Sequence, residues 1–147
     1  MRSHSPIALA LAGALLLLAP AATLAAPGAL EIQQQGDVRY VSGGIGDEQE
    51  QALKGMAGNY DLEVTFAADE GNYLGGADLV IMKPRAKTAV LRTSTAGPIL
   101  LAELPPGRYE LRATANGTTQ SKMVDVSAHG RTSTIFHLGH LDESARQ

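Results

Sequence analysis

Apolar and polar positions divide the chain into three regimes. From Ile7 to Ala19 the residues are almost all Ala and Leu, with no charge between them. Between Asp47 and Tyr60 the apolar positions recur as on a helix: Leu53, Met56, Ala57 and Tyr60 stand at i, i+3, i+4 and i+7, which puts them on one stripe. Glu48, Gln49, Gln51 and Lys54 take the opposite, wet side. Asp47 with Glu50 three residues on has the spacing of a capping box, and Gly58-Asn59 supplies a stop. From residue 62 the period drops to two. Leu62, Val64 and Phe66 alternate with Glu63 and Thr65, the mark of a strand with one buried face.

Further strands are predicted from the same signal and its punctuation. Residues 37–41 alternate and form a first strand, after an arm with a short extended piece at Leu30-Glu31-Ile32. Residues 77–82 are nearly continuously apolar; 88–93 and 99–104 follow, separated by Pro84-Arg85-Ala86-Lys87 and Ala96-Gly97-Pro98. Tyr109, Leu111 and Ala113 alternate with Glu110, Arg112 and Thr114. Asn116-Gly117 then marks a hairpin, because both residues tolerate the positive φ of a type I′ turn. Residues 118–126 return, and 132–138 make the last strand. About seven short strands at spacings of roughly 8–12 residues predict an antiparallel β-sandwich.

The apolar run near the start changes the picture of where the protein works. One basic residue, Arg2, precedes it, and small residues follow Pro20. At about 13 residues it is short of the roughly 20 needed to cross a bilayer and reads as a secretory signal peptide over 1–25. Cleavage falls after Ala25, or after Ala21, and leaves about 120 residues, enough for one core. No cysteine follows the run, so lipid attachment through a lipobox cysteine is excluded. The expected organisation is a signal peptide at 1–25, an arm with a short strand and helix at 26–60, a sandwich at 61–138 and a disordered tail at 139–147. Twelve basic residues against fifteen acidic give a net charge of −3, which offers nucleic acid or anionic lipid no attraction. With no cysteine the fold stands on its core alone, although an export compartment permits disulfides. Bacterial periplasm, or secretion, fits this combination.

Leu104-Pro105-Pro106-Gly107-Arg108-Tyr109-Glu110-Leu111 resembles the signature of carboxypeptidase regulatory-like domains. The segment 75–80, Gly75-Gly76-Ala77-Asp78-Leu79-Val80, looks like that family's opening strand without its proline. The resemblance runs over residues 61–138. It implies a seven-stranded transthyretin/prealbumin-like sandwich, here with one short N-terminal helix, in which Tyr109 places its ring between the sheets. The front end, Tyr40 to Glu48, looks like that of small exported proteobacterial proteins that carry this domain alone. The resemblance implies a fold and assigns no activity.

Candidate chemistry is sparse. His140-Leu141-Asp142-Glu143 has the spacing of two zinc ligands but stands at the chain's end, with no third ligand after it. His129, His137 and His140 are the candidate metal ligands; in a strand, however, His137 and His140 point to opposite faces. Nucleophilic catalysis needs an activated Ser, Cys or Thr beside a base; Ser94 and Ser133 lie in ordinary strand contexts. The transthyretin-like hydrolases of purine degradation end in Tyr-Arg-Gly-Ser, whereas this chain ends Ser144-Ala145-Arg146-Gln147. The carboxylate pairs at 47–48, 69–70 and 142–143 are adjacent residues in turns, caps and tail, and residues 69–72 gather oxygens that bind calcium at most weakly. Gly43-Gly44-Ile45-Gly46 lacks the lysine of a phosphate loop. There is no tryptophan, and Tyr73, in a turn, is the candidate platform for a glycan. The sequence therefore predicts no enzyme and no cofactor. It predicts an interaction or structural module that meets a protein partner at a sheet edge, with the strands at 37–41 and 132–138 as the candidate edges. Glycan or metal binding is the alternative, and a hydrolase on the same fold a third.

Overall fold

The computed structural model describes residues 29–68 and 72–139. The expected signal peptide, the turn at 69–71 and the tail from His140 onward lie outside the described residues. Two sheets face each other. The first has the order β1 (Ile32–Gln35), β2 (Val38–Gly43), β6 (Ile99–Ala102), β3 (Leu62–Ala67), β9 (Thr132–His137). The second has β5 (Thr88–Ser94), β4 (Asp78–Lys83), β7 (Gly107–Ala115), β8 (Thr118–Val126). The expectation of a mostly β sandwich with one short helix holds. Its strand count does not: nine strands form among the described residues, because the arm adds two, β1 folding back at Gly36 against β2, to the seven within 61–138. Nor is the sandwich wholly antiparallel, since β9 crosses over to run parallel to β3.

Period-two alternation explains the core. The inward residues of both sheets, among them Leu62, Val64, Phe66, Leu79, Ile81 and Leu111, are buried in one cluster. Phe66 and Phe136 are cross-strand partners whose rings stack at 6.0 Å. Strand β6 reads Ile-Leu-Leu-Ala rather than alternating because both its faces are covered. Leu100 points into the sandwich and Leu101 points out, and both are fully buried. The outer cover is helix α1 (Asp47–Met56), continued by a 3-10 turn at Ala57–Asn59. Its Leu53 and Ala57, with Tyr60, pack on Val41 and Leu101, and Met56 joins them at the margin. The predicted stripe is thus the packed one.

The helix start differs from the capping-box expectation. Gly46, at φ 86°, occupies the cap, and Asp47 is already helical with no side-chain capping bond. The Gln49 side chain reaches back to the preceding turn, where its Oε1 accepts from the N–H groups of Gly44 and Ile45, each at 3.2 Å. The glycine-rich turn is pinned rather than loose. Gly97 lies so close to Gly43 that a Cβ on it would sit 2.4 Å from the Gly43 carbonyl oxygen.

The two open sides of the sandwich are bridged by side chains. On one, Gln35 of β1 reaches β5 of the other sheet: its Oε1 accepts from Arg92 N–H at 2.7 Å and its Nε2 donates to Arg92 C=O at 3.1 Å. On the other, β8 serves β9. Lys122 Nζ donates to the Ile135 carbonyl, and Gln120 Nε2 to the His137 carbonyl at 2.8 Å. Lys122 also lies over the Phe136 ring, 5.1 Å from its centre.

Candidate functional site

The end of the sandwich where β4 gives way to β5 is built from two proline-containing turns. Strand β4 pairs antiparallel with β7, Met82 opposite Glu110, so the end of β4 and the beginning of β7 meet there. The turn at 84–87 and the loop at 103–106 therefore become neighbours, although about twenty residues separate them in the chain. Between them lies a half-open recess of about 650 Å³. Its apolar lining includes Pro84, Pro105, Pro106 and Met123, and the charged side chains lining it among the described residues are Lys83, Arg85 and Arg108. Met123 is 45 % exposed. Arg108 has an ion partner in Asp125, at 3.9 Å with both side chains well exposed.

The loop that forms one wall is fixed at two points. Leu104 N–H donates to Asp61 Oδ2 at 3.0 Å. Tyr109 O–H donates back to the Pro105 carbonyl at 2.7 Å, the geometry of a tyrosine corner. The Tyr109 ring is inside the core, as expected, and burial, with the Asp61 charge second, pushes its hydroxyl pKa above the ordinary value. Burial does the same to Tyr60 beneath the helix, despite the opposing field of Arg39.

Tyr73 sits elsewhere. It forms an isolated antiparallel bridge with Ala67 and is 61 % exposed. A cavity of about 140 Å³ beside it is lined by Glu50, Lys54, Glu63 and Thr65 over the apolar side of α1. These charged groups are already engaged. Lys54 Nζ is 2.8 Å from Glu50 Oε1, whose hydrogen bond and charge raise the lysine's pKa, and Arg131 is 3.3 Å from Glu63.

Of the three candidate histidines, His129 lies in the loop before β9 and His137 at the far end of that strand, whose five steps span about 16 Å at about 3.3 Å each; His140 lies outside the described residues. Among the described residues no group of three His, Cys, Asp or Glu side chains stands close enough to hold a metal ion. Of residues 69–72 Asn72 alone is described, and the carboxylate pairs at 69–70 and 142–143 lie outside the described residues. Ser94 hydrogen-bonds the Asp78 carboxylate on the surface, and Ser133 lies on β9. Of the two expected edges, β9 is one. The strand at 37–41 is not, because β1 pairs along its outer side and β6 along its inner side.

Lys83, Arg85, Arg108 and Met123 went unnoticed in the sequence. The signal was present as two basic, proline-bearing turns, Pro84-Arg85-Ala86-Lys87 and Pro105-Pro106-Gly107-Arg108. Only the β4–β7 pairing makes them one site. Fold and recess together define the class as a two-sheet β-sandwich with a helix on one outer face and a groove lined by cations and apolar side chains at one end. No protein-family model and no curated protein matches the chain. Among the described residues no helix is long and apolar enough to cross a membrane.

Proposed function

We propose that this is a non-catalytic, exported interaction module on a carboxypeptidase-regulatory-like, transthyretin-like sandwich, and that it meets its partner at the groove end rather than along a sheet edge. The groove itself carries the reading: an open recess lined by apolar side chains and three cations, walled by a loop held at Leu104 and Pro105. A wall held this way needs little ordering on binding. Two observations turn the reading away from strand addition. Arg92 on β5 has both backbone groups taken by Gln35, and the carbonyls of Ile135 and His137 on β9 are taken by Lys122 and Gln120. Strand addition needs such groups unpaired.

A second reading, glycan binding beside Tyr73, draws support from an exposed ring next to a polar cavity. Photo-crosslinking in intact cells separates the two. A photoreactive residue is placed in turn at Ala86 or Met123 in the groove, at Gln33 on the β1 edge, and at Thr65 beside Tyr73. Reproducible protein adducts at 86 and 123 alone are the expected result. Adducts at Gln33 alone, or none at 86 and 123, would remove the groove reading.

A further inference from the structure

We propose that the groove takes an extended acidic polypeptide segment, which lays an apolar side chain against Pro84, Pro105, Pro106 and Met123 and sets its carboxylates against Lys83, Arg85 and Arg108. The assignment rests on the reading of this end as the binding surface and adds the chemistry of what binds.

Charge selects an anion. The chain as a whole is acidic, at −3, yet the charged side chains lining this recess among the described residues are three cations. Arg108 is held only by a 3.9 Å contact to an Asp125 side chain that is 82 % exposed, so an incoming carboxylate displaces little. Arginine suits the role, since its planar fork engages a carboxylate through two hydrogen bonds.

Shape selects a polymer. Small-molecule pockets bury most of their ligand's surface, and a half-open recess of about 650 Å³ does not. A strand-like chain, at about 3.3 Å per residue, can cross such a recess and leave its ends in solvent. A single-stranded nucleic acid would need exposed rings for its bases, but the aromatic residue here, Tyr109, is 2 % exposed and its hydroxyl is used by Pro105. Prolines bring no backbone N–H to the lining, so an apolar side chain meets little there that must stay hydrated.

The test uses the full-length protein after export and a short fluorescein-labelled peptide of glutamates around a central leucine, with fluorescence anisotropy for affinity and amide NMR shifts for location. Saturable binding is expected, with shifts confined to residues 83–87, 105–109 and 123. Raising salt weakens it, because screening shortens the reach of the groove charges to about 8 Å or less at physiological ionic strength and above. Exchanging two of the three cations (Lys83→Glu with Arg85→Glu) weakens binding about tenfold or more, and Met123→Gln weakens it several-fold, roughly the range for losing a charge pair or an apolar contact. Both variants keep the parent's melting temperature, because these side chains are exposed. Equal binding by a glutamine–leucine peptide, equal binding by glutamates without leucine, shifts elsewhere, or no binding would each overturn the assignment. So would an oligothymidylate or phosphatidylglycerol vesicles binding with the same variant dependence. Adducts at 86 and 123 whose partner segments are not acidic would leave the groove as the interaction surface and remove the acidic-peptide assignment alone. No adducts there would remove both.

Discussion

Replacing Tyr109 with phenylalanine removes one oxygen and tests whether the proline loop is held by the hydroxyl. The ring is 2 % exposed and its packing among the core side chains survives the change. What is lost is the 2.7 Å bond to the Pro105 carbonyl. A net hydrogen bond contributes about 0.5–1.5 kcal/mol, which for a domain of this size lowers the melting temperature by roughly 4 °C. The pH dependence gives a second handle. Burial raises the tyrosine's folded-state pKa above its unfolded value, near 10, so the folded state holds the proton more tightly. That contribution is complete below about pH 10 and is lost as pH climbs through the raised folded value. The gap between parent and Tyr109→Phe is therefore widest near neutrality and closes above about pH 10. Tyr60 acts in the same direction in both proteins and cancels in the comparison. Urea unfolding at neutral and alkaline pH measures the gap. A variant as stable as the parent at pH 7, or a gap that widens with alkali, would refute the reasoning.

Three further outcomes follow from the packing. Gln35→Ala frees both backbone groups of Arg92; it costs about 1 kcal/mol or less at this exposed site, and hydrogen exchange at the Arg92 amide quickens while sedimentation reveals concentration-dependent association along β5. Gly97→Ala drives a Cβ to 2.4 Å from the Gly43 carbonyl oxygen and destabilises by about 1–3 kcal/mol or more, whereas Gly55→Ala, with open space around its Cβ in the helix, stabilises by about 1 kcal/mol; equal effects in thermal melts would sink that contrast. Leu53→Ala, at a site 2 % exposed beneath the helix, costs about 2–5 kcal/mol, and circular dichroism shows the helical signal melting with or before the sheets.

Local periodicity carried those parts of the fold that local physics decides. Leu62, Val64 and Phe66 alternate because alternate strand positions face one core, and all three are buried. Asn116 and Gly117 take φ of 52° and 73°, the left-handed pair their sequence implied. The helix stripe of Leu53, Met56, Ala57 and Tyr60 lies against the sheet. Failures came where a distant partner decides. Nothing around residue 132 says that the last strand will run parallel to β3, and nothing around 37–41 says that a glutamine-rich arm will cover it. The cap falls one residue before Asp47 because the Gly46 carbonyl accepts the Glu50 N–H at 3.1 Å, which makes Asp47 the first helical residue, and the φ of 86° at Gly46 is one that glycine adopts without strain. The groove cations stayed invisible because each belongs to a turn that is ordinary by itself.

One sequence, Leu104 to Tyr109, serves both stability and binding in this account, and the two roles fall on different atoms. Asp61 and the Tyr109 hydroxyl hold the loop from within, through the Leu104 amide and the Pro105 carbonyl. The rings of Pro105 and Pro106 face the groove. Losing the Tyr109 hydroxyl should therefore lower stability and loosen the wall, weakening peptide binding only as far as the loop moves. Changing Arg85 or Met123, which are exposed and hold nothing in place, should weaken binding with the stability untouched. Were binding to fall in strict proportion to stability across both sets of variants, the groove would be a consequence of a packed corner and not a recognition surface.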